Sequence, residues 1–104
     1  MKAQYENGCL SLEGDLLILK TTKKDFEAID RCVGGRPIDR VDLSRAQKVD
    51  SAAVGVLVEL KRKAGGSLKV IDAPQVLIDL LRMYRVEHWF DLCPAAQESK
   101  AVGA

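Results

Sequence analysis

Apolar positions along the chain change their period several times, and each change marks the edge of an element. Over residues 9–13 and 16–20, short apolar runs flank Gly14-Asp15. That dipeptide suits a tight reversal, so the pattern predicts two adjacent antiparallel strands. Thr22 then stands where a helix wants its N-cap, with Phe26, Ile29 and Val33 at helical spacing behind it and Gly34-Gly35 to end the turn. Pro37 opens a new element. Over residues 38–43, Ile38, Val41 and Leu43 are interleaved with Asp39, Arg40 and Asp42, which predicts a strand that runs into the core. Residues 44–49 read as a loop.

A longer periodic stretch follows. Between residues 51 and 64, Ala53, Leu57, Leu60 and Ala64 recur at helical steps, while Glu59, Lys61, Arg62 and Lys63 fall largely on the other face. This predicts an amphipathic helix. Gly65-Gly66 stops it, residues 68–71 form a short strand, and Pro74 opens a helix with Leu77, Leu80, Leu81 and Tyr84 along one face. Alternation of strand and helix calls for parallel pairing with right-handed crossovers, and so few helices pack most simply on one side. The expected fold is α/β, a small mixed β-sheet with helices packed on one face. A single domain is expected over residues 1–94, followed by a frayed tail over 95–104.

Composition removes several function classes. At 104 residues, 47% hydrophobic and 30% charged, the chain supports one core and no deep cleft between domains. Its 16 Lys and Arg nearly cancel 15 Asp and Glu, and a net charge of +1 leaves no field to hold nucleic acid. No apolar run approaches the roughly 18 residues that span a bilayer. Lys2, Gln4 and Glu6 stand where a signal peptide would be apolar, so a cytoplasmic protein without membrane insertion is expected. Cys9, Cys32 and Cys93 are odd in number and widely spaced, which fits neither a disulfide framework nor a zinc site. They read as reduced thiols, with no metal.

The segment KVDSAAVGVLVEL, residues 48–60, holds the main chemical question. Ser51, placed after Asp50 at the mouth of a helix, suits a nucleophile, a cap, or a site that another protein modifies or reads. A hydrolase would want glycines on both sides of its serine, with a histidine and an acid in reach. Ser51 has no such glycines. His88 lies in VEHWF beside Trp89 and Phe90, where it reads as a partly buried packing residue in a core-closing cap. Gly34-Gly35-Arg36-Pro37 reads as a helix stop and not as a phosphate loop. Neither enzyme chemistry nor a cofactor is indicated. Asp50 and Ser51 can each cap the helix, a contribution of about 1 kcal/mol, and on spacing alone capping is the stronger reading. The same helix start would also stabilise an added negative charge, so a phosphate on Ser51 would sit in a favourable field.

The stretch over residues 41–92 resembles a STAS domain: a strand ending in Asp42-Leu43-Ser44, a variable loop, Asp50-Ser51 at a helix start, a glycine-ended amphipathic helix, a strand, and a last helix followed by an aromatic cap. About half the chain carries the likeness; the first half fits more loosely. The resemblance implies a small sheet covered on one face and a role in binding partner proteins without catalysis. Anti-sigma-factor antagonists of this family carry a motif like Asp-Ser-Ser-Gly, whose second hydroxyl is usually phosphorylated by a partner kinase. Here Asp50, Ser51, Ala52 and Ala53 put alanine at that acceptor position. Small subunits of Mla-type lipid-trafficking ABC transporters have motifs like Asp-Leu-Ser-Arg and Val-Asp-Thr, similar to residues 42–45 and 49–51. Two partners are therefore implied, an anti-sigma factor or serine kinase of GHKL type, or an ABC transporter ATPase subunit. Either would meet the face formed by Ser44, the loop after it, Asp50, Ser51, Ala52 and Ala53.

Overall fold

The computed structural model describes residues 1–94. The first strand pair turns on Asn7-Gly8. Strand β1 (Lys2–Glu6) runs antiparallel to β2 (Cys9–Leu16), with Glu6 opposite Cys9 and only two residues between them. Both take positive φ, 47° at Asn7 and 82° at Gly8, the twist that a two-residue hairpin requires and that Asn-Gly adopts at least cost. The expected reversal at Gly14-Asp15 is thus corrected. Gly14, at φ 100°, lies within one continuous strand at an irregularity in the ladder.

At that irregularity β2 changes neighbours. Its first half pairs in parallel with β3 (Arg40–Asp42), and its second half pairs in parallel with β4 (Ala46–Val49). The expected loop over residues 44–49 therefore holds a strand. Residues 17–20 form a turn in place of the expected second strand, closed by the Lys20 and Thr21 amides donating to the Leu17 carbonyl at 2.9 and 2.7 Å. Beyond β3 come β5 (Lys69–Ala73) and β6 (Asp91–Pro94), both parallel, so the path across the sheet is β1-β2-β3-β5-β6.

Helix α1 (Lys23–Val33) begins as the pattern predicts: Asp25 accepts the Thr22 amide at 2.8 Å, and Gly34 closes the last turn in the left-handed region at φ 58°. Helix α2 (Ser51–Ala64) ends likewise on Gly65 at φ 68°. Helix α3 (Gln75–Met83) starts directly after Pro74, which holds the N-cap position without a side-chain bond. All three helices pack on one face of the mixed sheet, against Leu10, Leu12, Val41 and Val70, in a single core cluster. The apolar face of α2 is wider than expected, with Val54 and Val56 buried beside Ala53, Leu57 and Leu60. In α3, Ile78 takes the buried place expected of Tyr84, which caps the helix and is half exposed. Lys63 of α2 pairs with Asp30 of α1 and ties the two helices at their outer edge. The expected tail over residues 95–104 lies outside the described residues.

Candidate functional site

Because β2, β4 and β5 run parallel, and α1, α2 and α3 each follow one of them, all three helices start at the carboxyl edge of the sheet. Open α/β sheets gather their binding groups at this edge. Asp50 and Ser51 stand there, directly after β4.

Asp50 is the N-cap of α2. Its backbone is extended, φ −143° and ψ −156°, and its Oδ1 accepts the Ala52 amide at 2.8 Å. The same carboxylate accepts the Ile18 amide, at 3.0 Å to Oδ1 and 3.1 Å to Oδ2. Its own amide donates to the Leu16 carbonyl at 3.2 Å. One side chain therefore fastens the 17–20 turn to the start of α2. Ser51 is the first helical residue and half-buried, and its hydroxyl has no hydrogen-bond partner among the described residues. Of the two residues able to cap, Asp50 does so, and the serine oxygen is left uncommitted.

The outward side of α2 is low and sparsely charged near its start. Ser51 and Ala52 are half-buried, Gly55 is exposed with open space where a side chain would project, and Val58 is exposed. Ala53 does not belong to this surface. It points into the core and is fully buried, as its place two residues on from Ser51 in a helix requires. Further along, Glu59 and Arg62 form an ion pair. Arg62's hydrogen bonds hold the Glu59 carboxyl below its ordinary pKa, and Glu59 in turn raises that of the guanidinium.

Ser44 is elsewhere. Its amide donates to Asp42 Oδ1 at 2.8 Å, and it lines a shallow concavity of about 280 Å³ on the helix-free face of the sheet, with Lys2, Gln4, Ser11 and Arg45. The structure thus brings together Asp50, Ser51 and Ala52, and sets Ser44 and Ala53 apart from them. His88 is exposed, not partly buried. It follows α3 in a short 3-10 turn, Glu87–Trp89, edge-on to Trp89 at 6.3 Å between ring centroids, while Phe90 alone of that group is buried. No described contact joins it to Ser51.

Sequence reasoning missed Ile18 and Leu19. Assigned to a strand, they are instead displayed on the turn beside Asp50, 65% and 94% exposed. The one available signal was the switch from LLIL to the polar KTTKK, which leaves no partner strand for the apolar run. The three cysteines are half-buried and free. No group of His, Cys, Asp and Glu among the described residues is arranged to hold a metal, and no described helix is long and apolar enough to cross a membrane.

The fold is a one-sided α/β sheet whose three helices all start at one edge, with Asp50, Ser51 and Ala52 at that edge. The family model described as "Mlab, STAS domain" matches residues 2–94, and the chain belongs to the STAS domain family. No curated protein matches the chain at a significant level.

Proposed function

We propose that the chain is a non-catalytic docking domain whose contact surface is the start of α2, and that its partner is the ATPase subunit of an Mla-type lipid-trafficking ABC transporter. One observation carries the docking role: half-buried Ser51 has no hydrogen-bond partner for its hydroxyl among the described residues, since Asp50 caps the helix. A polar atom without internal work, flanked by Ala52 and the bare backbone at Gly55, suits close approach by another protein's backbone. The choice of partner is supported by Ala52, which removes the acceptor hydroxyl of the antagonist motif, and by the family model's description. On this reading the subunit works in the cytosol and no phosphorylation is needed.

A second reading keeps the same surface for an anti-sigma factor or GHKL-type serine kinase. Asp50-Ser51 matches the first half of the antagonist motif, and the α2 start would favour a phosphate on Ser51. The neighbouring Asp50 carboxylate would oppose it.

Isothermal titration of the purified chain against the ATPase subunit from the same organism, and in parallel against a GHKL-type anti-sigma kinase, separates the two. The ATPase is expected to bind. Ser51→Asp is expected to weaken it by about 2–5 kcal/mol, because an unpaired carboxylate would enter a desolvated contact. Equal affinity of wild type and Ser51→Asp contradicts the assigned surface, and binding to the kinase alone reverses the choice of partner.

A further inference from the structure

Strand β1 ends the sheet and pairs with β2 alone. In a hairpin with a two-residue loop, the residues that flank the loop exchange both backbone bonds, and bonded and non-bonded pairs then alternate along the ladder. Glu6 and Cys9 flank Asn7-Gly8, so Glu6, Gln4 and Lys2 turn their amides and carbonyls toward β2. Ala3 and Tyr5 turn theirs off the sheet. Among the described residues, no backbone group bonds them from that side. An open row of donors and acceptors is a template for another strand, and soluble proteins usually blunt it. At the far end of the sheet, β6 ends in Pro94, which has no amide to donate. β1 has no proline, and its ladder with β2 runs over all five residues without a shift. The Tyr5 side chain is pinned away from the edge, its hydroxyl donating to the Pro37 carbonyl at 2.7 Å and its ring lying 4.1 Å below the Arg36 guanidinium.

The order of residues in β1, KAQYE, selects what can add to this edge. A second copy would lie antiparallel about a twofold axis, and the outward bonds form only where Ala3 and Tyr5 face residues that also turn outward. With the axis at Gln4, Ala3 exchanges both bonds with the second copy's Tyr5, and Lys2 faces Glu6 of the second copy. Every residue of the strand is then paired. With the axis at Ala3 or at Tyr5, a charged side chain faces Gln4 and one end of the strand is left over. Lys2, Gln4 and Glu6 are exposed on the helix-free face, and neither Lys2 nor Glu6 makes an ion pair among the described residues, although Lys2 stands opposite Glu13 on β2. Lysine on an edge commonly repels a neighbouring strand. Here the carboxylate four residues on converts it into half of a self-complementary pair.

We infer that β1 is the contact between two copies of this chain, joined antiparallel about Gln4 into one continuous sheet with both helix layers on the same face. The inference does not rest on the proposed partner. Because the two β1 strands run in opposite directions, the edges that carry Asp50 and Ser51 point to opposite ends of the joined sheet and both stay open.

Sedimentation equilibrium over a concentration series tests this, on the chain with no residues added before Met1, for wild type, Lys2→Glu, Glu6→Lys and the double variant Lys2→Glu/Glu6→Lys. Wild type is expected to pass from monomer to dimer as its concentration rises. Each single variant is expected to raise the dimer dissociation constant by about ten-fold or more, because symmetry turns one substitution into two like-charged pairs. The double variant restores unlike pairs and is expected to dimerise as wild type does, and so is an equimolar mixture of the two single variants. All the substituted side chains are exposed, so unchanged thermal midpoints are expected. Wild type that stays monomeric throughout overturns the inference, as does a dimer that Lys2→Glu leaves equally tight. Weakening by both single variants without recovery in the double variant overturns the pairing about Gln4.

Discussion

Asp50 and Ser51 are neighbours with opposite relations to the fold. The aspartate accepts amides from its own helix and from a turn far away in sequence, whereas the serine oxygen has no hydrogen-bond partner among the described residues. Their substitutions should therefore separate. Asp50→Ala is expected to destabilise the domain by about 1–3 kcal/mol, since a cap and a second backbone bond are lost together. Ser51→Ala is expected to change stability by less than about 0.5 kcal/mol. Urea unfolding of the two variants checks this, and an equal loss in both would place structural work on the serine. Sequence placed the pair at a helix start but left either one able to cap. The deciding partner was the Ile18 amide, and a contact with a sequence separation of 32 leaves no trace in local spacing.

At the scale of elements, α2 was the most legible because glycines end it and its heptad-like spacing is long. Leu57 is 1% exposed and Val58 is 36% exposed, so adjacent positions test the assigned face. Leu57→Ala is expected to cost about 2–5 kcal/mol, the usual range for a core leucine. Val58→Ser should cost less, about 1 kcal/mol, since part of the side chain is already in water, and a loss equal to that of Leu57→Ala would show the helix turned the wrong way.

On the same exposed side, Glu59's carboxyl is held below its ordinary pKa by its hydrogen bond to Arg62. A depressed carboxyl stabilises the fold above its unfolded pKa and loses that contribution as pH falls through the folded pKa. The gap in stability between wild type and Glu59→Gln should therefore shrink on acidification below the ordinary carboxylate range, and remain small throughout because the pair is solvent-exposed. A gap that widened in acid would contradict the pairing. The strands were less legible than the helices. β1 has an alternating pattern and an Asn-Gly turn, but Gly14-Asp15 offers a rival reversal of similar local quality; what decides between them is that β2 must stay extended to reach both β3 and β4. β4 was hidden for a related reason: Gln47 and Lys48 are exposed, so it shows no apolar alternation.

For the whole molecule, parallel pairing is what converts sequence into a site. It sends the starts of α1, α2 and α3 to one edge, so that a turn before the first helix and a cap before the second lie in contact although the chain separates them. The one-sided layering was foreseeable from strand–helix alternation. The apolar turn was not, because its residues are as suited to a buried strand as to a turn, and β2 ends at Leu16, before Ile18 and Leu19. Cross-saturation NMR on the deuterated, amide-protonated chain bound to the unlabelled ATPase subunit tests the docking edge directly. The expected result is signal loss at the amides of Ile18, Leu19, Ser51, Ala52, Gly55 and Val58, with the helix-free face unaffected. Loss concentrated instead on Gln4, Ser11 and Asp42 would contradict it.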